Sequence, residues 1–172
     1  VDGFTKFAQK VPFFGFATLC MDHPTVQSII PHIRRKVVTY GLSTQAQYRG
    51  VNLRYSGTKS TFQLLENGKT KGEVSVDLPG RHNVQNAIAA MAVSLELGAD
   101  FDVVTEALAD FSGVERRFTI RAEGPLPGGG EKITIIDDYG HHPVEIQATL
   151  QAAANAWPHR RIIAVVQPHR YS

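Results

Sequence analysis

The sequence of 172 residues has little cysteine, little excess of charge of one sign and no long apolar run. Its single cysteine, Cys20, cannot form an internal disulfide or build a thiolate metal site. The 18 Lys and Arg against 16 Asp and Glu leave a net charge of +2, which does not indicate a nucleic-acid or membrane partner. The longest apolar run, Ala87–Val93, is far shorter than the roughly 18 residues of a membrane span. Because no secretory leader opens the sequence, a cytoplasmic protein is expected.

The composition is that of a globular protein with a real core. Hydrophobic residues make up 42% of the chain and charged residues 20%, both ordinary values. The length allows one large domain or two small ones. A Gly/Pro-rich stretch, Gly124–Gly130, follows soon after the pair Arg116-Arg117, and this shift in composition predicts two domains at residues 1–117 and 118–172. The absence of Met at position 1 favours a piece of a longer protein.

The first predicted domain is α/β with a small antiparallel sheet. Asn67-Gly68 is a strong hairpin signal, because both turn positions favour positive φ. Val84, Ile88 and Met91 fall on one helical stripe, which predicts a helix face buried against a sheet. The predicted strands are Gly15–Met21, Val37–Leu42, Tyr48–Tyr55, Thr61–Glu66 and Gly72–Leu78. The predicted helices are Thr25–Ile33, Asn83–Leu97 and Asp100–Phe111.

The second predicted domain begins with a strand, a helix and a strand, at Lys132–Ile136, Pro143–Trp157 and Arg161–Val166. A crossover of this length predicts a parallel, right-handed βαβ unit. Polar clusters, Asp137–His142 and Gln167–Ser172, follow the two strands. Parallel pairing would bring both clusters to the sheet edge where ligands bind in such folds. The alternative is that these are ordinary polar loops at strand ends.

Two further groups of side chains are candidates for binding. Asn83 is suited to capping the helix that it opens, and Asn86 lies on the same face. Their amides could read the edge of a purine base, or they could serve only as a cap and a solvated side chain. The pair Arg116-Arg117 could clamp a phosphate across the domain boundary, or could simply be solvated.

Three other patterns do not support a site. The segment Asn67–Thr70 resembles the end of a phosphate-binding loop, but Gln63 stands where that loop needs glycine. Gly128–Gly130 precedes a strand, whereas a dinucleotide-binding turn follows one. The adjacent pair His141-His142 lacks the spacing of a zinc-binding helix, so no metal site is predicted within the chain.

Four motifs occur in the order Gly80–Ala87, Gly113–Phe118, Asp137–Pro143 and Gln167–Ser172. Together they resemble the Mur ligase family of bacterial peptidoglycan synthesis. The resemblance implies part of the family's P-loop-type central α/β domain, followed by the βαβ unit that starts its Rossmann-like C-terminal domain. The family's N-terminal UDP-sugar domain and its G-x-x-G-K-T/S phosphate loop have no counterpart in the sequence.

The resemblance implies an ATP-dependent ligase that adds L-alanine to UDP-N-acetylmuramate through an acyl phosphate, with Mg²⁺ held by positions outside this chain. Asn83 and Asn86 would hold the adenine, Arg117 the ATP phosphates and Asp138 the ribose hydroxyls. The residues that would line the γ-phosphate and alanine pocket are Tyr139, His142, His169 and Arg170. Of the residues named, Arg117, His142 and His169 would be catalytic, and Arg170 would face the carboxylate of alanine.

Other functions stay open on the sequence alone. A related ligase of the family attaches a tripeptide to UDP-N-acetylmuramate and shares much of the His141-His142-Pro143 motif. Because the phosphate loop is missing, a nucleotide-binding module without catalysis is a second alternative, and this chain by itself is expected to lack ligase activity. A Rossmann-type oxidoreductase is disfavoured, because no dinucleotide fingerprint follows any predicted strand.

Overall fold

The structure is a computed structural model that describes residues 2–125 and 128–167. The helices are α1 (Asp2–Gln9), α2 (Pro24–Ile29), α3 (Arg81–Glu96), α4 (Phe101–Asp110) and α5 (Pro143–Ala156). The strands are β1 (Phe16–Cys20), β2 (Lys36–Gly41), β3 (Tyr48–Ser56), β4 (Lys59–Glu66), β5 (Lys69–Val76), β6 (Thr119–Pro125) and β7 (Lys132–Asp137). The predicted α/β class is confirmed, while α1 and β6 were not predicted.

The first five strands form one mixed sheet in the order β1-β2-β3-β4-β5. Strands β1, β2 and β3 are parallel, and β4 and β5 continue the sheet in antiparallel fashion. The antiparallel strands therefore extend the parallel sheet and do not form a separate one. Asn67 and Gly68 close the hairpin between β4 and β5 with φ values of 50° and 79°, as the sequence predicts.

Helix α3 packs across this sheet and forms the main core. Val84, Ile88 and Met91 are completely buried, which confirms the predicted stripe. They pack in one cluster with sheet residues that include Phe62 and Leu64. Each fully buried side chain of this kind stabilises the fold by about 1.5–3 kcal/mol, so the position of α3 on the sheet is strongly fixed.

A polar cluster fixes the other end of α3. The carboxylate of Glu96 accepts hydrogen bonds from Lys36 Nζ at 2.5 Å, Gln47 Nε2 at 2.9 Å and the Tyr48 hydroxyl at 3.2 Å. The hydrogen bond from Lys36 is the main reason that the pKa of Glu96 lies below its ordinary value. The last turn of α3 is thereby tied to the start of β2 and to β3.

The second sheet contains β6 and β7 in antiparallel pairing. Residues 161–167 contain no strand, so the prediction that Arg161–Val166 pairs in parallel with β7 is wrong for this structure. An apolar run becomes a strand only when its backbone groups pair with those of a neighbouring strand. Within the described residues, β7 pairs with β6 and with no other strand. Val165 is accordingly 95% exposed.

Helix α5 packs against the linker that precedes β6. Phe118 is buried with Ala152 and Ala153, and its ring stacks on Trp157 with the centroids 6.2 Å apart. This small core places the start of β6, the end of β7 and α5 side by side. Within residues 2–125 and 128–167, no helix is both long and apolar enough to cross a membrane.

Candidate functional site

The first turn of α3 approaches α5 very closely. Gly80 precedes α3 with φ 98° and ψ 149°, and a Cβ atom added to it would lie only 2.8 Å from the Cβ of Ala152. Only glycine adopts this backbone conformation without strain. Gly80 therefore lets residues of the first predicted domain touch α5 of the second.

The two predicted adenine-binding residues both lie near this turn. Asn83 does not cap α3 as predicted: it lies inside the first turn, where its Nδ2 donates to the carbonyl oxygen of Pro79 at 2.8 Å. The residue at the cap position is Gly80, which has no side chain to serve as a cap. Asn86 lies on the following turn and is exposed.

Asp138 follows β7 and joins two loops. One oxygen of its carboxylate accepts from the backbone N–H of Phe118 at 2.9 Å, and the other accepts from that of Gly140 at 2.7 Å. A carboxylate can accept about four hydrogen bonds in total. Asp138 therefore retains capacity for a ligand hydroxyl while it holds the linker.

The arginine pair sits in a constrained linker. Arg116 and Phe118 both have positive φ, at 59° and 54°. The guanidinium of Arg116 lies 4.8 Å from the ring centroid of Tyr139, and its Nε is 3.6 Å from Asp137. The side chain of Arg117, between the two strained residues, is exposed. Arg116 is thus occupied within the protein, whereas Arg117 is accessible to a ligand.

His82 connects these groups and was not singled out from the sequence. Burial lowers its pKa below the ordinary value, while the Asp138 carboxylate acts to raise it and the Arg117 guanidinium acts to lower it. Gly80 approaches Ala152, which packs against Phe118. Phe118 in turn donates its N–H to Asp138, so the start of α3, the linker and the loop after β7 meet at one junction. The sequence signal that could have found His82 is Gly80. A glycine directly before a helix permits a close approach to another element, here α5, and so brings the neighbouring His82 into this region.

The histidine pair begins α5. The Nδ1 of His142 accepts from the N–H of Val144 at 3.3 Å, and Glu145 accepts in return from the N–H groups of His141 and His142 at 3.1 and 3.4 Å. These backbone hydrogen bonds lower the pKa of the Glu145 carboxyl, and the one from His141 has the larger effect. His142 is exposed and its ring is the helix cap, so only Nε2 is left for a substrate.

A groove of about 1330 Å³ opens beside this loop. Asp138, Tyr139 and His141 line one end of it, and the rest lies between β7, α5 and residues 159–167. His169 and Arg170 fall outside the described residues, and so does the predicted meeting of their loop with Asp138. In the described part of the chain, no group of three or more His, Cys, Asp or Glu could hold a metal ion.

Family models match both parts of the chain. Residues 2–94 match the Mur ligase middle domain, and residues 116–171 match the Mur ligase glutamate ligase domain. Both matched regions contribute to the junction described above, the first through Gly80 and the second through Ala152.

Proteins with similar sequences include UDP-N-acetylmuramate–L-alanine ligases. The chain is 50% identical over 171 residues to the UDP-N-acetylmuramate–L-alanine ligase of Pelobacter propionicus, which covers 99% of this chain and 36% of that protein. It is 48% identical over 169 residues to the ligase of that name from Salinibacter ruber, and this match covers 98% of this chain and 34% of the relative. The chain therefore spans little more than a third of the length of these relatives.

Solved structures agree with the sequence matches. The MurC UDP-N-acetylmuramate–alanine ligase of Thermotoga maritima superposes with a TM-score of 0.68 and 38% identity, over 77% of this chain and 30% of that one. The MurF ligase of Thermotoga maritima, solved in complex with ADP, gives a TM-score of 0.71 at 18% identity, over 88% and 33% of the two chains, and supports the fold alone. The chain belongs to the Mur ligase family.

Proposed function

We propose that this chain is the part of a UDP-N-acetylmuramate–L-alanine ligase that binds ATP and lines the site of the incoming amino acid. The main support is the junction, where Gly80 of one matched region packs against Ala152 of the other and the linker that carries Arg117 is hydrogen-bonded to Asp138. This junction offers a cation for phosphate and a carboxylate for hydroxyl groups, with the amide of Asn86 nearby on α3. A nucleoside triphosphate presents the complementary groups.

The proposed reaction transfers a phosphoryl group from ATP to the carboxylate of UDP-N-acetylmuramate. The amine of L-alanine then displaces phosphate from the acyl phosphate and forms the amide. Such a reaction requires positioning of the reacting groups and neutralisation of charge on the phosphates. In the proposal Arg117 supplies that positive charge, and a residue with this role typically contributes about 10²–10³ in rate.

The other residues orient the substrates. Asn86, exposed on α3, would hydrogen-bond the adenine, with Asn83 contributing its remaining amide oxygen. Asp138 would accept from the ribose hydroxyls with its unused lone pairs. Tyr139 and the Nε2 of His142 would face the reacting phosphate and the amine. His169 and Arg170 keep their proposed roles in that pocket, with Arg170 opposite the carboxylate of alanine.

Mg²⁺ enters this proposal only as a requirement of the family. The described residues supply no cluster of carboxylates and histidines that fits the ion. No step is therefore assigned to a metal ligand of this chain.

A chimeric enzyme tests the proposal. The matching segment of the Pelobacter propionicus ligase is replaced with this chain, and phosphate release is measured with ATP, UDP-N-acetylmuramate and L-alanine. We expect release that depends on all three substrates and that falls about 10²–10³-fold with Arg117→Ala. Arg54→Ala is the matched control, because this exposed arginine of β3 pairs only with Glu73 and Thr61 among the described residues and lies outside the junction.

Two outcomes would overturn the proposal. A folded chimera that uses an alanine-headed tripeptide in place of L-alanine would assign the chain to the recycling ligase. A folded chimera that binds ATP without releasing phosphate would favour the binding module. If the chimera does not fold, calorimetric titration of the 172-residue chain with ATP decides the nucleotide part, since binding that Arg117→Ala leaves unchanged contradicts the proposed role of this arginine.

A further inference from the structure

The linker between the two matched regions is held in an unfavourable backbone conformation. Arg116 and Phe118 lie in the left-handed region, with φ of 59° and 54°, although neither is glycine. Such residues persist only when surrounding contacts fix them. Arg117 lies between them, so the direction of its side chain depends on whatever holds its two neighbours.

Two backbone contacts hold this conformation from the side of β7. The carboxylate of Asp138 accepts from the N–H of Phe118 at 2.9 Å, and the N–H of Tyr139 donates to the carbonyl oxygen of Arg116 at 2.7 Å. The second oxygen of Asp138 accepts from Gly140 at 2.7 Å, which fixes the carboxylate itself. The linker on both sides of Arg117 is therefore bound to residues 138 and 139.

Side chains reinforce these backbone contacts. The guanidinium of Arg116 lies over the ring of Tyr139, and the ring of Phe118 is buried against Trp157. Arg116 and Phe118 are thus held by aromatic partners, and the side chain of Arg117 between them is exposed. The bond from Phe118 to a carboxylate is charge-assisted, and such bonds are roughly twice as strong as neutral ones.

We propose that Asp138 is a positioning residue that clasps the linker and sets the orientation of Arg117. The inference rests on the proposed function for the role of Arg117 towards phosphate, but the clasp itself is a property of the chain without nucleotide. It goes beyond a ribose contact, because it requires Asp138 to act on Arg117 through the backbone.

The clasp is tested on the ligand-free chain by amide hydrogen exchange. Asp138→Asn keeps one acceptor oxygen and Asp138→Ala keeps none. We expect exchange at Phe118 and Gly140 to rise about tenfold or more in the alanine variant, and by a smaller factor in the asparagine variant. Glu123→Gln is the matched control: this carboxylate of β6 contacts Thr134 and Arg160 and accepts neither amide.

Limited trypsin digestion gives a second readout, because trypsin cleaves after arginine and the linker contains the Arg116-Arg117 pair. Cleavage there should accelerate in the Asp138 variants and not in Glu123→Gln. Exchange and cleavage that stay at the level of the unaltered chain in Asp138→Ala would overturn the proposal, whatever the outcome of any ligase assay.

The link to Arg117 is tested with two nucleotides, ATP and 2′,3′-dideoxy-ATP. If Asp138 acted only by binding ribose hydroxyls, Asp138→Asn would weaken ATP and leave the dideoxy nucleotide unaffected. The clasp predicts that binding of both weakens, and that the loss largely disappears when Arg117→Ala is already present. A chain that binds neither nucleotide would contradict the proposed function, while exchange and cleavage would still decide the clasp.

Discussion

Replacing Gly80 with alanine should separate the start of α3 from α5. Gly80 has φ 98° and ψ 149°, a conformation that costs a residue with a side chain about 1–3 kcal/mol. The added Cβ would also lie 2.8 Å from the Cβ of Ala152, well inside van der Waals contact. Overpacking of this kind costs about 1–3 kcal/mol. Together the two effects predict a loss of about 2–6 kcal/mol in the free energy of unfolding.

A second substitution divides this loss into its two parts. Ala152→Gly removes the atom that the new Cβ would meet, so it should relieve the steric part and leave the backbone strain. The double-mutant cycle should therefore give a coupling energy of about 1–3 kcal/mol between the two positions. Gly98→Ala is the matched control, because Gly98 has φ 88° but no atom lies within 4 Å of its added Cβ. It should cost only about 1–2 kcal/mol.

Urea unfolding provides the assay. The fluorescence of Trp157, the one tryptophan of the sequence, reports on the α5 region, and far-UV circular dichroism reports on the whole chain. For a chain of this size, each kcal/mol corresponds to about 2–4 °C in a parallel thermal melt. A loss for Gly80→Ala no larger than that for Gly98→Ala, or a coupling with Ala152→Gly of zero within error, would contradict the close packing of Gly80 on α5.

Three further predictions concern the buried Ile88 and the two groups with shifted pKa values, Glu96 and His82. Ile88→Ala, at a completely buried site, should cost about 2–5 kcal/mol by urea unfolding, and a cost well below that range would contradict the packing of α3. Because the pKa of Glu96 is lowered, wild-type stability should fall as pH drops below about 4.5; Glu96→Gln should flatten this fall in thermal melts, and an unchanged slope would contradict the contribution of Glu96. The pKa of His82 is also lowered, so the unfolded chain binds more protons and stability should decline below about pH 6.5; superimposable profiles of wild type and His82→Gln would contradict its burial.

Periodic apolar patterns predicted the main body of the fold. The Val84, Ile88 and Met91 stripe and the Asn67-Gly68 turn are signals carried by neighbouring residues, although the stripe is buried only by its packing on the sheet. Strand β6 was missed because Thr119–Pro125 is mostly exposed and carries no apolar run. It exists because β7 offers it a neighbour, and pairing of that kind is not encoded within the segment itself.

The candidate site was predictable as a set of motifs, but not as a geometry. Arg117 and Asp138 were predicted separately, and in the structure the N–H of Phe118, next to Arg117, donates to the Asp138 carboxylate. The sequence does not reveal that Gly80 contacts Ala152, since this depends on the packing of α5. Asn83 fails as a cap because the cap position of α3 is Gly80, three residues earlier than the capping signal of Asn83 suggests.

If the chain binds ATP as proposed, one nucleotide lies against both matched regions at once. Amide NMR of the 172-residue chain during titration with ATP tests this arrangement. We expect the signals of Asn86, Phe118 and Gly140 to shift together and to give one dissociation constant. Shifts confined to α3, shifts confined to the β7–α5 loop, or no shifts at all would contradict it.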